Sequence, residues 1–222
     1  MKLTKNILAG SIAGTVMALS AIAPVANAEV SASVAVASTY LWRGQDLGTG
    51  TPAVSGDLTY SRSGFYTGVW VSSGDTALGT EYDLYAGYGA EVGGLSVDLS
   101  VWTYVNPNEP TGVDHTDTFG DATDVILGLG YGPVSFTWIN DVDTTDINYF
   151  SLGYSFSSFS LTYGGFVTDR DDVSEYSHLD LTYSYNDNLA FTLSQVVDND
   201  FDAEYEIDDD LKVVVSYSIP LG

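Results

Sequence analysis

From about residue 30 to residue 219 the chain keeps returning to a period of two, apolar on one side and polar or small on the other. The stretch "GLSVDLSVWTYV" sets Leu95, Val97, Leu99 and Val101 on one face and Ser96, Asp98, Ser100 and Trp102 on the other. "EYDLYAGYGA", "SFSLTYGGFV" and "LKVVVSYSI" repeat the pattern. About twelve such segments are present, near 30–42, 52–61, 64–72, 80–92, 94–105, 122–131, 133–142, 147–156, 158–167, 176–186, 188–197 and 211–219. Most run roughly 9 to 12 residues, the length of a tilted strand crossing a hydrocarbon layer, whereas strands of soluble domains are nearer five or six. Their connections alternate. "SRSG", "VGG", "YGP", "SFSS" and "YNDN" are tight turns; 43–51, 73–79, 106–121, 143–146, 168–175 and 198–210 are mostly longer and more polar. A soluble sandwich would also alternate, but nothing in it sorts connections by length. Lipid cannot satisfy a sheet edge, so a sheet in a membrane must close on itself. The expected fold is all-β: a transmembrane, antiparallel, up-and-down β-barrel of about 12 strands, with short periplasmic turns and long acidic extracellular loops.

The N-terminus agrees. Lys2 and Lys5 precede the apolar run "ILAGSIAGTVMALSAIA", and Ala26–Asn27–Ala28 supplies small residues for a signal peptidase. Residues 1–28 are expected to be a cleaved secretory signal peptide and 29–222 a single barrel domain in the outer membrane of a Gram-negative bacterium. With 0 Cys no disulfide framework or thiolate zinc site can form. Only 6 Lys and Arg stand against 30 Asp and Glu, so nucleic acid is excluded as a partner: there is no basic face to release counterions.

The residues "STYLWRG" (Ser38, Tyr40, Arg43, Gly44), Pro52–Ala53, the "SGFY-x-GVW" hairpin from Ser63 to Trp70 and the "DLYAGY" strand from Asp83 to Tyr88 resemble the TorF-type porin family. These are proteobacterial exported proteins of unknown function with a Gcw_chp-type domain. The likeness is strongest over the first half of the exported chain. It implies an outer-membrane barrel and a porin by assignment, and it brings no active site with it.

If Leu95, Val97 and Leu99 face lipid, the opposite parity lines the lumen. The candidate pore-lining residues are Arg43, Asp57, Glu81, Asp83, Asp98, Asp124, Asp141, His178, Asp180 and Lys212, among Ser, Thr and Gly positions such as Ser135, Thr162 and Ser194. An acid-biased lining favours cations. Arg43, placed at the end of the first strand, reads either as a constriction cation or as a buried partner for Glu81 or Asp98. Tyr40, Trp42, Trp70, Trp102 and Tyr104 fall near the long loops, and Tyr60, Phe65, Tyr131, Phe156, Phe159 and Tyr185 near the short turns, as two interfacial girdles would. Trp70 and Trp102 carry the lumen parity, which makes them plugs as readily as anchors.

The 198–210 loop holds eight carboxylates, with Asp198, Asp200, Asp202 and Asp209 at positions 1, 3, 5 and 12 of an EF-hand-like pattern. Ala203 stands where that loop needs glycine, so loose Ca or Mg association is expected rather than a dedicated cofactor site. The expected partners are outer-membrane lipid and lipopolysaccharide, the barrel-assembly machinery, and small solutes or cations; a homo-oligomer is compatible. The expected function is a porin passing small hydrophilic solutes or ions, with cation preference. The alternative is a non-conducting structural or adhesive barrel acting through its acidic loops. No enzyme is expected, because His115 and His178 stand without a nucleophile motif.

Overall fold

Twelve of the fourteen strands in the computed structural model close into one antiparallel ring. The structure describes residues 28–107, 118–143, 147–168, 175–200 and 207–221; the proposed signal segment lies almost wholly outside them. The wall strands are β1 (Glu29–Ala37), β4 (Ala53–Arg62), β5 (Phe65–Asp75), β6 (Gly79–Val92), β7 (Leu95–Val105), β8 (Ala122–Tyr131), β9 (Val134–Asp141), β10 (Ile147–Phe156), β11 (Phe159–Thr168), β12 (Tyr176–Ser184), β13 (Leu189–Asn199) and β14 (Lys212–Leu221). Each pairs with its successor along the wall, and β14 returns to β1 with Ser216 opposite Ala37 and Ile219 opposite Val34. A separate two-stranded ribbon, β2 (Leu41–Trp42) and β3 (Gln45–Asp46), lies between β1 and β4 in sequence.

Parity decides which face turns in. Val34, Val36, Leu58, Leu84, Leu99, Leu152, Leu161, Leu181, Leu193 and Val213 are exposed on the outside, while Ser55, Asp83, Asp98, Ser100, Thr137, Thr162, Asp180, Thr192 and Ser194 are buried inside. This is the reverse of a soluble protein and the arrangement of a barrel whose outer face meets lipid. At the tight-turn end, Tyr60, Phe65, Tyr131, Phe156, Phe159 and Tyr185 are all exposed, so the expected ring of aromatics is present there.

Two sequence expectations are corrected. The second long connection, expected over 73–79, is three residues, because β5 runs to Asp75 and β6 starts at Gly79, with a register shift between Ser72 and Asp75. The first strand does not reach residue 42: it stops at Ala37, and the chain turns into the barrel. Tyr40, Trp42 and Tyr104 are therefore not membrane anchors. Tyr40 is buried against the wall with Trp70, Trp42 packs on Phe166, and the Tyr104 hydroxyl bonds Asp124.

Candidate functional site

The inward segment is held by its own turn chemistry. Arg43 (φ 48°) and Gly44 (φ 85°) are successive left-handed residues between Trp42 and Gln45, the geometry of a type I′ turn that makes β2 and β3 a hairpin. Behind it, Asp46 accepts the Thr39 hydroxyl and the Gly50 amide (3.0 Å), and Leu47 N donates to Tyr40 O at 2.8 Å. Leu41 is buried with Ala37 and Val214. The hairpin is thus stapled to β1 and β14 at its base and reaches across the ring.

Its tip lands on the opposite wall. Arg43 Nη2 donates to Asp124 Oδ2 on β8 at 2.7 Å, with both side chains less than a tenth exposed. The guanidinium lies 4.3 Å from the Trp42 ring centre, 5.0 Å from that of Tyr149 on β10 and 5.6 Å from that of Phe166 on β11. Tyr176 on β12 donates its hydroxyl to Arg43 O at 2.9 Å and receives Gln45 Nε2 at 2.6 Å. At Gly44 a Cβ would stand 2.5 Å from His178 Cγ, so only glycine allows both this positive φ and this approach. The expected partners of Arg43, Glu81 and Asp98, are displaced by Asp124, 81 residues away in sequence.

The lumen carboxylates meet phenols more than bases. Tyr40 donates to Glu81 Oε2 (2.8 Å), Tyr66 to Asp98 Oδ1 (2.8 Å), Tyr85 to Asp57 Oδ2 (2.6 Å) and Tyr104 to Asp124 Oδ2 (2.8 Å). A chain so poor in Lys and Arg satisfies buried acceptors with neutral O–H donors, which are aromatic and fit a β wall. This use of tyrosine escaped the sequence reading, although Tyr66, Tyr85 and Tyr104 carry the inward parity of their strands. Tyr85 also stacks on Trp102, with ring centres 4.2 Å apart, which sets Trp102 in the lumen rather than at the lipid interface.

Asp83 is the exception. It is 4% exposed, lies within electrostatic reach of Glu81 and Asp124, and its Oδ1 has no hydrogen-bond partner. His178 is wholly buried, with Nε2 2.9 Å from Tyr149 Oη and Nδ1 3.0 Å from Asp180 Oδ1. Asp141 sits at the loop end of β9 and accepts the Asp143 amide. Lys212 enters β14 at the same end, but its ammonium is taken by Asp208 and the Asp208 and Asp210 carbonyls rather than by the lumen. That hydrogen bond holds the Asp208 carboxyl below its ordinary range.

Of the acidic-loop candidates, Asp202 lies outside the described residues. Asp198 is in β13 opposite Ser177, extended backbone rather than the tight turn of a calcium loop. Asp200 Oδ1 accepts the Glu175 amide, and Asp209 O faces Gln195 Nε2 at 3.4 Å. Among the described residues no three His, Asp or Glu side chains are arranged so as to hold a metal ion.

A family model described as a bacterial protein of unknown function, Gcw_chp, matches residues 21–214. No curated protein matches the sequence significantly. Among solved structures, the barrel is similar to a KdgM porin (7% identity, 87% of this chain and 99% of that one, TM-score 0.47). It is also similar to the outer membrane phospholipase A of Escherichia coli (12%, 86% and 90%, TM-score 0.45) and to OccK10 (OpdN) of Pseudomonas aeruginosa (15%, 89% and 71%, TM-score 0.43). At these identities the likeness is one of fold alone.

Proposed function

This chain belongs to the Gcw_chp family of bacterial proteins, and we propose that it is an outer-membrane channel for small hydrophilic solutes and ions, held nearly shut at rest by its first loop. The observation that carries this reading is a closed twelve-strand wall, apolar outside and polar inside, whose lumen is crossed by a hairpin that is not part of the wall. Small barrels fill their interior with side chains from their own strands. Here a separate ribbon occupies the loop end. The resemblance of the first half to TorF-type porins agrees with this reading.

The lining supports cation preference. Asp57, Glu81, Asp83, Asp98, Asp124 and Asp180 all turn inward, while Arg43 is committed to Asp124 and Lys212 to the 208–210 segment. Rings of carboxylate draw cations and repel anions. The acidic loops would bind divalent cations loosely and, through them, lipopolysaccharide. The Tyr149–His178–Asp180 chain has the look of a catalytic relay, but it is sealed beneath Gly44 and positions the hairpin instead.

Single-channel recording of the refolded protein in a planar bilayer under a KCl gradient tests the proposal. Small discrete steps with a cation-selective reversal potential are expected. A folded, inserted barrel that passes no current, even with residues 41–46 replaced by a short Gly-Ser link, would overturn the channel reading and favour the structural alternative.

A further inference from the structure

The seat of Arg43 is assembled by the wall. Asp124 comes from β8, Tyr104 from β7, Tyr149 from β10 and Phe166 from β11, and only Trp42 travels with the hairpin. A carboxylate at 2.7 Å with two aromatic rings at 5.0 and 5.6 Å, themselves packed together, is what a planar organic cation requires: a charge-assisted hydrogen bond and π electrons close to its charge. With Arg43 removed, Asp124 would be a buried carboxylate answered by one phenol, with Asp83 and its unpartnered Oδ1 nearby. Such a site is short of positive charge. The fit is also incomplete, because buried Arg43 Nε finds no acceptor, so a free ligand could be matched at least as well.

We infer that the Asp124–Tyr149–Phe166 seat is a binding site for small guanidinium or related planar organic cations, and that Arg43 is a tethered stand-in for such a solute. This rests on the channel reading and names its solute class. A cation of this kind entering the lumen competes with Arg43 for Asp124. When it wins, the hairpin loses its anchor on the far wall and the passage widens, so the solute opens its own path. Tethering gives Arg43 an effective concentration of roughly millimolar or more, which keeps the resting chain closed to dilute ligand.

The test is calorimetric titration of the refolded protein in detergent with methylguanidinium, with heat-modifiable gel mobility to confirm a closed barrel. Arg43→Ala should bind methylguanidinium, and Arg43→Ala/Asp124→Asn should bind it at least about tenfold more weakly. Wild type should require far higher ligand than Arg43→Ala. If Arg43→Ala does not fold, Arg43→Gln keeps the polar stem and carries the same comparison. Equal affinity in the single and double variants, or no binding in the folded single variant, overturns the site. Bilayer recordings separate the two levels. Binding that depends on Asp124 in a barrel without current keeps the site and removes the channel; current without such binding keeps the channel and removes the site.

Discussion

Toward the long connections the wall turns in Asp83, Asp124, Tyr149 and His178, all buried; toward the tight turns it turns in Ser33, Gly130, Ser135, Ser160 and Thr182, none of them fully buried, beside the buried Tyr66–Asp98 pair. The outside reverses this contrast. Exposed aromatics ring the turn end, whereas at the loop end Tyr40, Trp42, Trp102 and Tyr104 have gone into the lumen. One sheet therefore holds two environments a few residues apart on each strand. In the channel proposed above, selectivity and closure would belong to the loop end, and the more open lining near the turns would form a polar vestibule.

Replacing Leu41–Asp46 by a short flexible link is the severest way to break that contrast. Conductance should rise several-fold with the gel mobility of a folded barrel retained; unchanged conductance would mean that the loop end is not the constriction. Arg43→Ala comes next. Breaking a buried ion pair by removing one partner costs about 3–5 kcal/mol, and the cost should fall on hairpin seating rather than on the wall. Increased quenching of tryptophan fluorescence by acrylamide, as Trp42 is released, checks it, and Asp124→Asn in the same chain should recover part of the loss. Gly44→Ala should unseat the tip by roughly 1–3 kcal/mol through backbone strain and the His178 clash, read in the same assay.

Turn-end changes should do less. Tyr66→Phe leaves the Asp98 oxygens without their phenol donor and should lower stability to denaturant by about 1–3 kcal/mol, while the hairpin stays in place. Ser160→Ala, in the vestibule, should change stability by no more than about 0.5 kcal/mol and leave the current unaltered. A large effect of Ser160→Ala on conductance would erase the distinction between the two ends.

The wall was readable because its signal is local: alternation within ten residues tells a side chain which face it takes, and most strand limits agree with the periodicity to within a few residues. The hairpin was not, because its reason for turning inward lies far away. In "STYLWRGQD" the alternation continues past Ala37, so Tyr40 and Trp42 look like the end of a strand. What redirects them is Asp124, Tyr149, Phe166 and Tyr176, on four other strands. One local clue was present: Arg43–Gly44 is a two-residue connection ending in glycine, the chemistry of a tight hairpin. The Arg43 alternatives, Glu81 and Asp98, had the right charge and parity but the wrong position around the ring, which alternation does not encode.

The hairpin joins two neighbouring wall strands, β1 and β4, yet its tip is held by groups 81 to 133 residues further along the chain. Its turn can form early, from bonds such as Leu47 N to Tyr40 O; its seat on Val214 and its anchorage on the far wall have to wait for β14 and for β8 to β12. Contacts of such long sequence separation form late because loop-closure entropy must be met first. The seam that closes the ring, Ala37 with Ser216, spans a longer separation still, so burial of Trp42 by fluorescence should come late in refolding and no later than closure by gel mobility. Wall and hairpin would then be completed together, and no finished barrel would stand with its hairpin unseated.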